Sequence, residues 1–260
     1  MIKRKVLFVF GTRPEAIKMA PVIDAFHKQS NLFEVIVCST GQHKEMLDQV
    51  INFFKIKVDY KIKVMRPNQN LSGLSSKIIS EFQKIIDEVN PNYLFVHGDT
   101  STTAMTSLVA FYNNIKLCHI EAGLRTNNKL SPFPEEINRR VTGLLADYHF
   151  SPTTNDKKNL LLEGVSEENI FVCGNTVIDS LMNASEKVDK IQNDEINLLE
   201  EKIDSRKKIV LVTSHRRENY GKNIKNICDA LKKISGINNT EIVYPVHLNP
   251  NINKIVNDRL

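Results

Sequence analysis

No apolar run in this 260-residue chain approaches the roughly 18–20 residues that a membrane-spanning helix needs. The basic start, Met1-Ile2-Lys3-Arg4-Lys5, leads into only about five apolar residues before Gly11, too few for the core of a secretory leader. A cytoplasmic protein without membrane contact is therefore expected. The four cysteines, Cys38, Cys118, Cys173 and Cys228, form no Cys-x-x-Cys pair. No His/Cys/Asp cluster has metal-ligand spacing either, so no metal site is expected. Cys38, Cys118 and Cys173 lie in or beside apolar runs and are expected as small core residues. There is no Walker A loop and no Gly-x-Gly-x-x-Gly, so no motif indicates ATP or NAD. The formal charge of +5 comes from 35 basic and 30 acidic residues without a dense basic block. That balance does not favour nucleic acid. An acidic small molecule such as a nucleotide suits the arginine placement better. Internal repeats and low-complexity tracts are lacking as well.

What the chain does have is a regular alternation of strand and helix. Apolar residues make up 41%, enough for one large or two ordinary domains. Short runs rich in strand formers fall at 5–10, 34–39, 58–64, 93–96, 116–120, 148–151 and 170–173. Helical spacing lies between them, at 43–54, 74–89, 100–113, 135–146, 153–163 and 177–188. This order predicts an α/β fold with a parallel sheet of about seven strands and right-handed crossovers. A charged stretch at 190–208 reads as helix and linker. Strands at 209–213 and 241–246 flank a helix at 223–234, and a short helix-like tail follows. Two strands cannot close a sandwich of their own. The expected domains are therefore 1–188 and 189–260, the second incomplete.

The chemistry concentrates at strand ends. The first strand runs into Gly11-Thr12-Arg13-Pro14-Glu15, where Thr12 and Glu15 have capping-box spacing. A helix start of this kind presents free N–H groups and favours anions, with Arg13 beside it and Lys18 a turn further on. The fourth and fifth strands run into His97-Gly98-Asp99-Thr100 and His119-Ile120-Glu121-Ala122-Gly123. In a parallel sheet, ligands bind beyond the carboxyl ends of the strands, so Asp99 and Glu121 belong to one edge. A third cluster, Pro132-Phe133-Pro134-Glu135-Glu136-Ile137-Asn138-Arg139-Arg140, follows a loop at 127–134. Glu135 and Arg139 are four apart on a helix, which taken alone predicts a surface ion pair. His97 and His119 are expected to satisfy local hydrogen bonds near the strand ends. Several acids and cations at one edge suggest an enzyme acting on an anionic substrate.

These segments resemble the non-hydrolysing UDP-N-acetylglucosamine 2-epimerases. The likeness is carried by Phe10 to Pro21, Thr40-Gly41-Gln42-His43, Val96 to Thr100, His119 to Thr126 and Pro132 to Arg139. It continues through Gly174-Asn175-Thr176-Val177-Ile178-Asp179, His215-Arg216-Arg217-Glu218-Asn219 and Tyr244 to Pro250. The resemblance implies a GT-B-like fold of two Rossmann-like domains and interconversion of UDP-GlcNAc and UDP-ManNAc, for surface polysaccharide precursors, by elimination and re-addition of UDP. It implies no cofactor, and it suggests a homodimer. It points to Asp99, Glu121, Glu135, Arg139 and His215 as catalytic residues. Arg13, Lys18 and His215 match positions that hold the UDP moiety. Gln42, Glu136, Arg216 and His247 match a second, activating UDP-GlcNAc site, although the loop Arg66-Pro67-Asn68-Gln69 departs from the family pattern, in which an arginine sits near Asn68. Family members continue for on the order of a hundred further residues, which bring an Asp-Ser-Gly-Gly turn to the nucleotide. A C-terminally truncated member is therefore expected, with weak UDP-sugar binding and little or no turnover by this chain alone. The alternatives are a hydrolysing relative that releases ManNAc and UDP, a non-catalytic binding module, and, by fold analogy alone, a glycosyltransferase.

Overall fold

A computed structural model describes residues 2–42, 44–66, 68–188, 194–214, 222–246 and 250–260. The chain divides into two compact units, Met1–Lys187 and Val188–Leu260.

The first unit alternates strand and helix without interruption: β1 (Arg4–Phe10), α1 (Arg13–Lys28), β2 (Phe33–Ser39), α2 (Lys44–Phe54), β3 (Tyr60–Lys61), α3 (Leu71–Val89), β4 (Tyr93–His97), α4 (Ser101–Tyr112), β5 (Lys116–Ile120), α5 (Glu135–Leu145), β6 (Tyr148–Ser151), α6 (Thr154–Leu162), β7 (Ile170–Val172) and α7 (Val177–Val188). The seven strands form one sheet in the order β3-β2-β1-β4-β5-β6-β7, and every pairing is parallel. Helices cover both faces, which is why β1 is a continuous apolar run instead of an alternating one. Val6, Phe8 and Phe10 pack with Met19 and Ile23 on one face; Leu7 and Val9 pack with Phe82, Ile86 and Val109 on the other. Each such side chain contributes roughly 1.5–3 kcal/mol by leaving water.

Three expectations need correction. The alternating stretch at 58–64 forms a strand only at Tyr60–Lys61, because β3 is an edge strand that pairs with Cys38 and Ser39 of β2 alone. Helix α3 begins three residues early, since Asn70 caps it by accepting from the Gly73 N–H at 2.8 Å. Cys173 is exposed, whereas Cys38, Cys118 and Cys228 are buried. It follows β7, the other edge of the sheet, where Phe171 and Val172 are also exposed.

The second unit holds α8 (Asp194–Lys202), β8 (Lys208–Leu211), α9 (Lys222–Ser235), β9 (Thr240–Val243) and α10 (Pro250–Asn257). β8 and β9 pair in parallel. Ile224, Cys228 and Val256 form its small core with Ile227, Tyr244, Val246 and Ile255. Ile209 and Leu211 of β8 remain exposed. Among the described residues no helix is long and apolar enough to cross a membrane.

Candidate active site

The carboxyl edge of the first sheet carries a cavity of about 320 Å³ whose wall includes Lys18, His97, Asp99, Glu121, Glu135 and Asn138. Strand register brings the acids together. His97 lies opposite Ile120, so Asp99 and Glu121 follow two neighbouring strands directly.

Glu121 leaves β5 with φ 65, a left-handed backbone that costs a non-glycine residue roughly 1–3 kcal/mol and persists where its surroundings hold it. Lys18 pairs with Oε1, and Asn175 Nδ2 donates to the same oxygen at 2.7 Å. His97 Nδ1 lies 3.8 Å from Oε2. Burial works to raise the Glu121 pKa, but the His97 ring, Lys18 and Asn175 outweigh it and hold the carboxyl below its ordinary value. Lys18 is the standing cation, because burial lowers the His97 pKa to about 4. His119 Nε2 donates to the Gly98 carbonyl, 2.8 Å away. Since a carbonyl only accepts, Nε2 carries the hydrogen. That bond bears out the expectation for His119, whereas His97 Nε2 is buried without a partner among the described residues.

Asp99 has the opposite character. Its carboxyl pKa is raised by burial, against the Arg139 guanidinium that pairs with it. Asn138 Nδ2 donates to its backbone carbonyl at 2.9 Å, so α5 grips both ends of this residue. Arg139 turns to Asp99 and Glu136 instead of forming the expected i,i+4 pair with Glu135. Glu135, in the first turn of α5, lines the cavity with Oε2 buried and unpartnered among the described residues.

Glu15 is a structural surprise. It is 2% exposed, and burial raises its pKa against the bonds it accepts. Oε2 accepts from the Gly11 N–H (3.0 Å), the Thr12 N–H (2.7 Å) and the Thr12 hydroxyl (2.8 Å). Oε1 faces the hydroxyls of Thr100 (2.7 Å) and Thr103 (3.0 Å). One carboxylate thus ties the β1 exit to the β4 exit, and the N–H groups expected to be free for an anion are partly taken.

The other singled-out residues are scattered. Arg13 is exposed at the start of α1 and is not on the cavity wall. Gln42 lines the cavity, its Oε1 accepting from the Thr102 hydroxyl at 3.1 Å. Glu136 is fully buried, with the Thr126 N–H at 3.0 Å, the Asn127 N–H at 3.2 Å and Arg140 Nε at 3.1 Å. His215, Arg216 and His247 lie outside the described residues. The capping-box reading of Thr12 and Glu15 is borne out, but the bridge from Glu15 to β4 was not expected, and Asn138 and Asn175 were given no role from sequence. Their types fit ordinary caps and helix faces, and only the fold reveals their long-range bonds. Among the described residues no group of three or more His, Cys, Asp or Glu is placed to hold a metal ion.

A family model described as UDP-N-acetylglucosamine 2-epimerase matches residues 25–260. The chain belongs to the UDP-N-acetylglucosamine 2-epimerase family. A UDP-N-acetylglucosamine 2-epimerase of Salmonella borreze is 51% identical over 259 residues, 98% of this chain and 68% of that protein. The crystal structure of UDP-GlcNAc 2-epimerase from Neisseria meningitidis bound to UDP-GlcNAc is 48% identical, with a TM-score of 0.88 over 98% of this chain and 69% of that one. The Methanocaldococcus jannaschii enzyme in complex with UDP-GlcNAc and UDP, at 29% identity and a TM-score of 0.79, covers 98% of this chain and is itself covered to 68%. The chain spans about two thirds of the length of the curated relatives it matches, 66% for one from Clostridium acetobutylicum. The epimerase family therefore has this seven-stranded parallel unit in common with the chain.

Proposed function

We propose that this chain carries the acid–base half of a site that interconverts UDP-GlcNAc and UDP-ManNAc without hydrolysis. The observation that carries the reading is the meeting of Asp99, Glu121 and Glu135 with Lys18 at one cavity, with Arg139 paired to Asp99, in a chain of the epimerase family. The C2 hydrogen of the sugar is barely acidic, so a positioned carboxylate must take it while the C1–O bond breaks and its electron pair leaves with UDP. Cations must meet the charge that develops on the departing diphosphate. Re-addition reverses these steps: UDP oxygen attacks C1, and a proton returns to C2 from the opposite face. Two carboxyls with opposite pKa displacements suit this division of labour. Glu121, held ionised, is suited to take the proton. Asp99, whose carboxyl is raised, is suited to carry one. Glu135, with an oxygen that has no hydrogen-bond partner among the described residues, is the third acid.

Lys18 and Arg13 complete the reading on the UDP side, together with His215 and, for an activating nucleotide sugar, Gln42, Glu136, Arg216 and His247. Glu136 would have to give up its bonds to the 126–127 backbone to join such a site. The family resemblance supports a homodimer, and a nucleotide-sugar substrate supports a cytoplasmic location and a role in surface polysaccharide precursors.

The test is proton NMR of the chain with UDP-GlcNAc in heavy water. Deuterium at C2 together with UDP-ManNAc signals would support the reading and overturn the expectation that this chain alone turns over little or not at all. Free ManNAc and UDP would mark a hydrolysing enzyme, and an unexchanged C2 hydrogen would overturn activity in this chain alone.

A further inference from the structure

Asn175 sits in the turn between β7 and α7, and its two amide atoms do different things. Oδ1 accepts from the Val177 N–H at 3.0 Å and caps the first turn of α7. Nδ2 donates to Glu121 Oε1 at 2.7 Å, across 54 residues of sequence. The network sets the orientation of the amide. The Val177 N–H can only donate and so demands the oxygen, which leaves the nitrogen for the carboxylate. Lys18 meets the same carboxylate oxygen from α1.

We infer that Asn175 is a positioning residue for the proposed epimerisation: its Nδ2, together with Lys18, immobilises Glu121 Oε1 and leaves Oε2 as the oxygen that exchanges a proton with the sugar. The inference rests on the functional reading above. The local geometry supports it in three ways. Glu121 has a left-handed backbone, so its side chain leaves β5 in a direction that no regular strand would impose. Oε1 has two donors, whereas Oε2, among the described residues, faces the His97 ring at 3.8 Å. A cap alone does not require asparagine, because aspartate and serine cap equally well. The groups that face Glu121 are Lys18 from α1, His97 from β4 and Asn175 before α7, with Asp99 and Glu135 on the same cavity.

Asn175→Asp separates the two roles. It retains the capping oxygen and replaces the donor with a second carboxylate against Glu121. Asn175→Ser also caps, and it removes the donor without adding charge. The melting temperature of Asn175→Ser is expected to stay close to that of the parent chain, and that of Asn175→Asp to fall at neutral pH through repulsion between the two carboxylates and to recover as the pH is lowered. Carbon-13 NMR of the carboxyls, with Glu121→Gln as the assignment control, is expected to show Glu121 titrating at higher pH in Asn175→Asp. C2-hydrogen exchange is expected to slow by about tenfold or more in both, with KM little changed and, in Asn175→Asp, the acid limb of the pH profile moved upward, the signature of a lost hydrogen bond to a charged group. An unmoved Glu121 titration in Asn175→Asp, or a rate loss in Asn175→Ser that only follows a loss of melting temperature, would reduce Asn175 to a cap and overturn the inference. If the parent chain exchanges no C2 hydrogen, the functional reading fails separately, and the Glu121 titration alone decides for or against Asn175.

Discussion

Burial sets the protonation of the histidines at the sheet edge. It lowers the His97 pKa to about 4 and the His119 pKa to about 3. An unfolded imidazole titrates near 6.5, so below that pH the unfolded chain takes up protons that the folded chain refuses. The stability these two residues contribute is complete above about pH 6.5 and falls as the pH drops toward their folded values, by up to about 1.4 kcal/mol per histidine per pH unit. Urea unfolding followed by circular dichroism should show the midpoint falling between pH 6.5 and 4. His119→Gln, whose amide can still donate to the Gly98 carbonyl, should flatten that slope. A second residue-scale prediction concerns Gly123. Its φ is 95, and a Cβ there would stand 2.3 Å from the Asp156 carbonyl oxygen. Gly123→Ala combines overpacking with a disfavoured backbone, so a loss of at least about 1–3 kcal/mol is expected in the same assay.

Among the elements, α3 makes the point that a single cap can extend a helix. Asn70 satisfies the Gly73 N–H, and Leu71, the first helical residue, lines the cavity. Asn70→Ala should cost about 1 kcal/mol in thermal or urea unfolding and loosen that wall of the cavity, read as faster amide exchange in the first turn of α3. The central strands were legible in sequence because a strand covered on both faces is largely apolar, and β1, β4 and β5 are such runs. β3 was legible in its existence but not in its length, since an edge strand extends only as far as β2 offers it partners. The position of Asp99 and Glu121 followed from the rule that chemistry gathers where parallel strands end. The partners of those acids did not follow. Nothing in the local sequence of Glu15 says that it will bind Thr100 and Thr103, and nothing in that of Asn175 says that it will reach Glu121. Such bonds are properties of strand order, which the strand-forming pattern alone does not encode. Arg139 is the same lesson in reverse, because its i,i+4 neighbour lost to an acid 40 residues away.

At the scale of the whole molecule, two units of unequal core share one chain. The first covers a seven-stranded sheet on both faces, whereas β8 of the second leaves Ile209 and Leu211 exposed over a core centred on Ile224, Cys228 and Val256. Unfolding should therefore depart from two-state behaviour. Native-state amide exchange should show α9 opening at lower free energy than β1 and β4, and equal opening energies would refute a difference in stability between the units. The sheet order has a further meaning in time. The earliest of this sheet's seven strands lies in its interior, with β2 on one side and β4 on the other. Synthesis proceeds from the N-terminus, so β1 meets β2 early and must wait for Tyr93 to emerge before its second edge is paired. Through that interval the ribosome holds out a strand whose residues Val6 to Phe10 are all destined for full burial, with one row of its backbone groups open. The demand on chaperones should accordingly be highest for nascent chains that end between Ser39 and Tyr93, and should drop once β4 closes the gap.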